Sequence, residues 1–127
     1  MEVSRRLGLG PEAPSQAREV TGLLTGVIPE DLVDAISIVV SELVTNSVRH
    51  SGGEPGDPIL LRLSAEEQGA RVEVVDEGCG FRPYVHRPPE DAENGWGLFL
   101  VEQLANRWGI SDGGRVVWAE LDEGRAA

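Results

Sequence analysis

Residues 29–50 read Pro-Glu-Asp-Leu-Val-Asp-Ala-Ile-Ser-Ile-Val-Val-Ser-Glu-Leu-Val-Thr-Asn-Ser-Val-Arg-His, and this stretch decides the fold. Pro29 suits a first helical turn, and Glu30 and Asp31 beside it complement the helix dipole. Leu32, Val33, Ile36, Val39, Val40, Leu43, Val44 and Val48 recur at spacings of three and four. The spacing predicts one long helix, running to His50, whose wide apolar face covers a sheet. Two polar residues interrupt that apolar run one turn apart, Glu42 and Asn46.

Outward from this helix, Ser51-Gly52-Gly53 ends it, and a Gly/Pro/Asp stretch turns into two strands over residues 59–65 and 71–76. Upstream, residues 2–9 form a short first strand and residues 15–25 a helix, with Pro11 and Pro14 at its start. Downstream, residues 81–94 hold Pro83, Pro88 and Pro89 with no apolar period, which predicts a mobile lid-like loop. Residues 95–107 are expected to be a helix with Leu98, Val101, Leu104 and Ala105 inward. Two closing strands flank the turn Ser111-Asp-Gly-Gly114. At 127 residues with 40% hydrophobic content, the chain is expected to be a single domain over 1–127.

Three separated motifs carry the chemistry. Glu42 and Asn46, at i and i+4, project from one side of the helix; the amide oxygen can meet a magnesium ion while the carboxylate orients or deprotonates a hydroxyl. An ordinary solvent-facing stripe explains the pair equally well on its own. Asp76 follows the apolar Val72, Val74 and Val75, and a carboxylate at the end of a buried strand needs a donor, such as the amino group of a purine. Gly78 and Gly80 behind it allow close approach of a flat base, or simply a turn. Gly95-Trp96-Gly97-Leu98 opens a helix whose free amides can wrap phosphate oxygens, with Leu98 packing behind them. Arg49 and His50 could touch a phosphate from the same side as Asn46, or merely complement the helix end. Cys79 has no basic neighbour in sequence to lower its pKa and reads as a small filler.

Composition removes other classes. All eleven basic residues are arginine. Without a lysine, neither a Walker A site nor the strand lysine of ordinary protein kinases can form. A net charge of −11 and a pI near 4.5 repel polyphosphate backbones and anionic lipids, which argues against nucleic-acid or membrane binding and leaves magnesium and main-chain amides to neutralise a bound ATP. One cysteine precludes an internal disulfide, and no apolar stretch reaches membrane-spanning length or forms a signal core. A cytoplasmic location is the expectation.

In order, Glu42…Asn46, Asp76-x-Gly78-x-Gly80 and Gly95-x-Gly97-Leu98 resemble the N, G1 and G2 boxes of the GHKL superfamily of ATPases and kinases. The wording Glu-Leu-Val-Thr-Asn-Ser-Val-Arg-His and Gly-Trp-Gly-Leu-Phe-Leu-Val is most similar to the stand-alone anti-sigma-factor serine/threonine kinases of bacterial partner-switching systems. The resemblance implies an α+β, Bergerat-type two-layer sandwich, with a mixed, mostly antiparallel sheet covered by helices on one face. It also implies ATP and Mg2+ bound between helices and lid. Asn46 would bind the ion, Glu42 would be the base for a serine or threonine of an anti-sigma-factor antagonist, and Asp76 would hold adenine. A sigma factor would be a second partner, and a homodimer through the first strand and its neighbouring helix is a further expectation. Two departures stand out. Many relatives carry a hydroxyl residue on the late strand that assists adenine, where residues 114–118 offer only valine, implying weaker adenine affinity. Trp96 stands where small or basic residues are frequent, packing on the lid or serving as a half-exposed structural residue.

The competing reading is a nucleotide-binding regulatory module without useful phosphotransfer. The catalytic domain of a histidine sensor kinase would require a helical dimerisation segment with a phosphoacceptor histidine, for which a chain of this length has no room; His50 and His86 fit that role poorly.

Overall fold

The computed structural model describes residues 1–50, 54–66, 69–76 and 97–122. The elements are β1 (Glu2–Gly8), α1 (Ala13–Thr21), a 3-10 turn (Gly22–Leu24), α2 (Glu30–His50), β2 (Pro58–Glu66), β3 (Gly69–Asp76), α3 (Gly97–Leu104), β4 (Arg107–Ser111) and β5 (Val116–Asp122). Among the described residues no helix is long and apolar enough to cross a membrane. The lid expected over 81–94 lies outside the described residues.

The strands form one sheet in the order β1-β2-β3-β5-β4. The expected sandwich is present, and all four strand pairings are antiparallel rather than mixed. The reason is topological. Helix α3 carries the chain back along the helical layer, so β4 runs the same way as β3. The hairpin then inserts β5 between them, and no parallel pair forms.

Strict alternation sorts the sheet into two faces. Ile59, Leu61, Leu63 and Ala65 of β2, Val72 and Val74 of β3, and Val117, Ala119 and Leu121 of β5 are buried under the helices. Helix α2 lies across them through Ile36, Val39, Val40, Leu43 and Val44, all fully buried. Each such side chain contributes about 1.5–3 kcal/mol relative to exposure. The amides of Leu32 and Val33 donate to the Pro29 carbonyl, so the proline sits at the helix start as its fixed φ favours.

Boundaries shift where tertiary contacts override local pattern. Helix α1 starts at Ala13 and tightens into the 3-10 turn at Gly22, earlier than the single helix expected to residue 25. Helix α3 ends at Leu104 rather than Arg107, because Asn106 is captured by β5: its amide donates to the Glu120 carbonyl and its side-chain oxygen accepts from the Asp122 amide. Arg107 is thereby drawn into β4.

Candidate nucleotide site at the end of the long helix

The segment before β2 is tied to the end of β1, and β2 begins opposite the end of β3. After α2, residues 51–57 lead into β2, whose first residue Pro58 pairs with Gly8 and whose second, Ile59, pairs with Asp76. The amide of Leu9 donates to the Asp57 carbonyl and that of Gly56 to the Leu9 carbonyl, tying this loop to the strand end. Helix α2 packs on β3 and β5, and helix α3 packs on α2 and on β4.

Asp76 continues the inward alternation of Val72 and Val74, and it is 0% exposed. Its amide donates to the Arg115 carbonyl at 2.8 Å, which fixes the strand end against β5. On β5, Val116 and Val117 pair with Val75 and Val74, the two residues before Asp76. A buried carboxylate is costly unless donors meet it, and Asp76 presents its acceptor oxygens on the covered face at the end of β3.

Glu42 and Asn46 stand half-buried at the rim, one turn apart on α2. Burial pushes the Glu42 carboxyl above the ordinary value of 4.5, while the charges of Arg49 and Arg18 pull it back down. A carboxylate raised in this way is a better proton acceptor than a solvated one. Arg18 reaches it from α1, where its Nη1 donates to Ser41 Oγ at 2.8 Å. The side-chain nitrogen of Asn46 is buried with no acceptor among the described residues. The Asn46 nitrogen is a buried donor suited to a phosphate oxygen, while its side-chain oxygen suits a magnesium ion and the two carboxylates are acceptors for a hydroxyl and for the amino group of a base.

Of the residues singled out in the sequence, the structure places Glu42 and Asn46 half-buried on α2 and Asp76 fully buried at the end of β3, with Leu98 buried and Gly97 opening α3. Arg49 is exposed, but its charge reaches Glu42. His50 is the last residue of α2, with its side chain outside the described set. Gly78, Cys79, Gly80, Gly95 and Trp96 lie outside the described residues. Sequence reasoning missed three participants. Arg18 and Ser41 meet across two helices, 23 residues apart, and no local pattern announces that contact. Ser47 is the third: it is 0% exposed on the sheet-facing stripe, where Val48 was expected, and Val48 is only half-buried. The series 36, 40, 43, 44 extends to 47 at helical spacing, so a buried hydroxyl was readable there.

Comparison with known proteins identifies the family and the fold. The sequence profile of the histidine kinase-like ATPase domain matches residues 10–121. An anti-sigma F factor of Pasteuria penetrans is 33% identical over 87 residues, covering 61% of this chain and 57% of that protein. The serine-protein kinase RsbW of Listeria innocua is 34% identical over 86 residues, covering 58% of this chain and 55% of that one. This chain therefore matches little more than half the length of these curated relatives. The crystal structure of the RsbU and RsbW domains of a Mycobacterium tuberculosis protein superposes with a TM-score of 0.70 at 19% identity, over 97% of this chain and 31% of that one, which shows a shared fold.

Proposed function

The chain belongs to the histidine kinase-like ATPase domain family, and we propose that it acts as an ATP-dependent protein-serine/threonine kinase in a partner-switching system. Its substrate would be an anti-sigma-factor antagonist, and a sigma factor would be its second partner. The observation that carries this reading is the Glu42–Asn46 pair at the rim, with its raised carboxyl and unsatisfied amide, above the fully buried Asp76. The names of the relatives, an anti-sigma factor and a serine-protein kinase, supply the partner class.

In this mechanism Asp76 accepts a hydrogen bond from the adenine amino group and holds the base at the floor of the site. The side-chain oxygen of Asn46 would hold Mg2+, and the ion supplies charge neutralisation across the phosphate oxygens. The amides that open α3, those of Gly97 and Leu98, would donate to phosphate oxygens at a helix N-terminus. Glu42 accepts the proton of the incoming serine or threonine hydroxyl, whose oxygen bonds to the terminal phosphorus as the bond to the bridging oxygen of ADP breaks. The charges of Arg49 and Arg18 favour the ionised form of Glu42 against the opposing effect of its burial.

The test is transfer of radiolabelled terminal phosphate from ATP to a candidate antagonist protein encoded near this chain. Wild type labels a serine or threonine of the antagonist. Glu42→Gln loses transfer while keeping nucleotide affinity. Nucleotide binding without transfer by wild type to any antagonist would reduce the protein to a binding module.

A further inference from the structure

Arg18 takes the weaker of two acceptors within its neighbourhood. Its Nη1 donates to Ser41 Oγ at 2.8 Å, a bond that joins α1 to α2. The next residue of α2 is Glu42, and no ion pair joins Arg18 to it among the described residues. A guanidinium bonds a carboxylate about twice as strongly as it bonds a neutral oxygen, and Arg18 is an exposed side chain on a long stem. It nevertheless holds the hydroxyl, while Glu42 feels its charge without a hydrogen bond between them.

That arrangement suits a proton acceptor. A guanidinium that grips a carboxylate occupies its oxygens and lowers their proton affinity. Held a short way off, the same cation favours the ionised form and leaves the oxygens open to an incoming hydroxyl. The charges that act on Glu42 are those of Arg49, on its own helix, and Arg18, from α1. Glu19 on α1, Glu102 on α3 and Asp76 on β3 are the other charged residues of α1, of α3 and of the covered faces of β3 and β5, the elements packed against α2, and none of them is among the causes.

We infer that Ser41 is a positioning residue, which holds the Arg18 guanidinium near Glu42 but off its oxygens and so keeps the carboxylate free to accept the substrate proton. This rests on the reading of Glu42 as the base. Without the Ser41 hydroxyl, Arg18 closes on Glu42, because the half-buried carboxylate is then the acceptor next to it. The pair lowers the Glu42 pKa and blocks its oxygens. Loss of Ser41 therefore moves the Glu42 titration in the opposite direction to loss of Arg18.

The experiment is NMR titration of the Glu42 carboxyl, assigned with Glu42→Gln, in wild type, Ser41→Ala, Arg18→Ala and the double variant, all without nucleotide. Single-turnover phosphotransfer is measured on the same four proteins. Ser41→Ala should titrate below wild type and Arg18→Ala above it, and the double variant should match Arg18→Ala, since no guanidinium is left to release. Transfer by Ser41→Ala should fall by about three- to tenfold at the plateau, with its rising limb at lower pH. A Glu42 pKa in Ser41→Ala that is unmoved or raised, as when Arg18 swings into solvent, overturns the inference. So does a Ser41→Ala loss of transfer that persists in the Arg18→Ala background. Wild type that titrates as expected but transfers no phosphate sinks the kinase reading and with it the purpose of the spacing; wild type that transfers while Ser41→Ala changes neither readout sinks only the role of Ser41.

Discussion

The two faces of the sheet treat polar residues in opposite ways. On the open face, Arg62, Glu73, Arg71, Glu120, Arg107 and Asp122 form an unbroken ladder across β2, β3, β5 and β4, with contacts from 2.7 to 3.7 Å. Arg71 also lies 4.5 Å from the ring centre of Trp118, whose indole covers Gly109 so closely that any Cβ there would sit 2.8 Å from the ring. Every one of these charges has a partner, and all of them touch solvent. On the covered face, by contrast, the Asn46 nitrogen and the Ser47 hydroxyl are buried with no partner among the described residues. Charges in water can be paired at little cost or gain, whereas buried polar atoms unpaired among the described residues call for a partner beyond them. The contrast separates a solvated surface from a binding site without reference to any relative.

Substitutions on the two faces should therefore differ in kind. The largest effect is expected from Glu42→Gln, which removes the proton acceptor: phosphotransfer should fall by about 10²–10⁴-fold in single-turnover assays. Nucleotide affinity should stay within about threefold. Next, Arg18→Ala removes a charge that lowers the Glu42 pKa. Because the base works ionised, the transfer rate rises with pH through that pKa, and the variant's rising limb should move to higher pH. An unmoved limb in a pH–rate profile would show that Arg18 does not act on Glu42. Smallest is Glu120→Gln on the open face, which should leave nucleotide affinity unchanged and shift the melting midpoint by no more than about 4 °C. Hydrogen bonds from Arg107 and Arg71 hold the Glu120 carboxyl below the ordinary 4.5. Whatever stability it supplies is thus present above that pH and is lost as pH falls through the folded value. The gap between wild type and this variant should close in acid.

How much of this was legible in the sequence follows the same division. The covered face announces itself, because Pro29, Glu30 and Asp31 mark the start of α2, and the apolar spacing that follows allows only a helix on a sheet. Alternation in β2 and β3 likewise aims Asp76 inward. Contacts between distant segments were not legible. Asn106 stops α3 by bonding β5, and Arg18 reaches Ser41 from another helix, and neither depends on a neighbour in sequence. Ser47 was overlooked for a different reason: one position of helical phase, about 100° of rotation, separates it from Val48, and a valine was the more natural core residue to choose. Of the glycine motifs, Gly78, Gly80 and Gly95 were read from sequence alone and lie outside the described residues.

Nucleotide binding depends most on the fully buried Asp76 holding the base. Calorimetric titration of magnesium ATP into wild type and Asp76→Asn tests this directly. Wild type should bind one nucleotide, and the variant should bind at least about tenfold more weakly, because a hydrogen bond to a charged acceptor is lost. Equal affinities in two equally folded proteins, or no uptake by wild type, would contradict it.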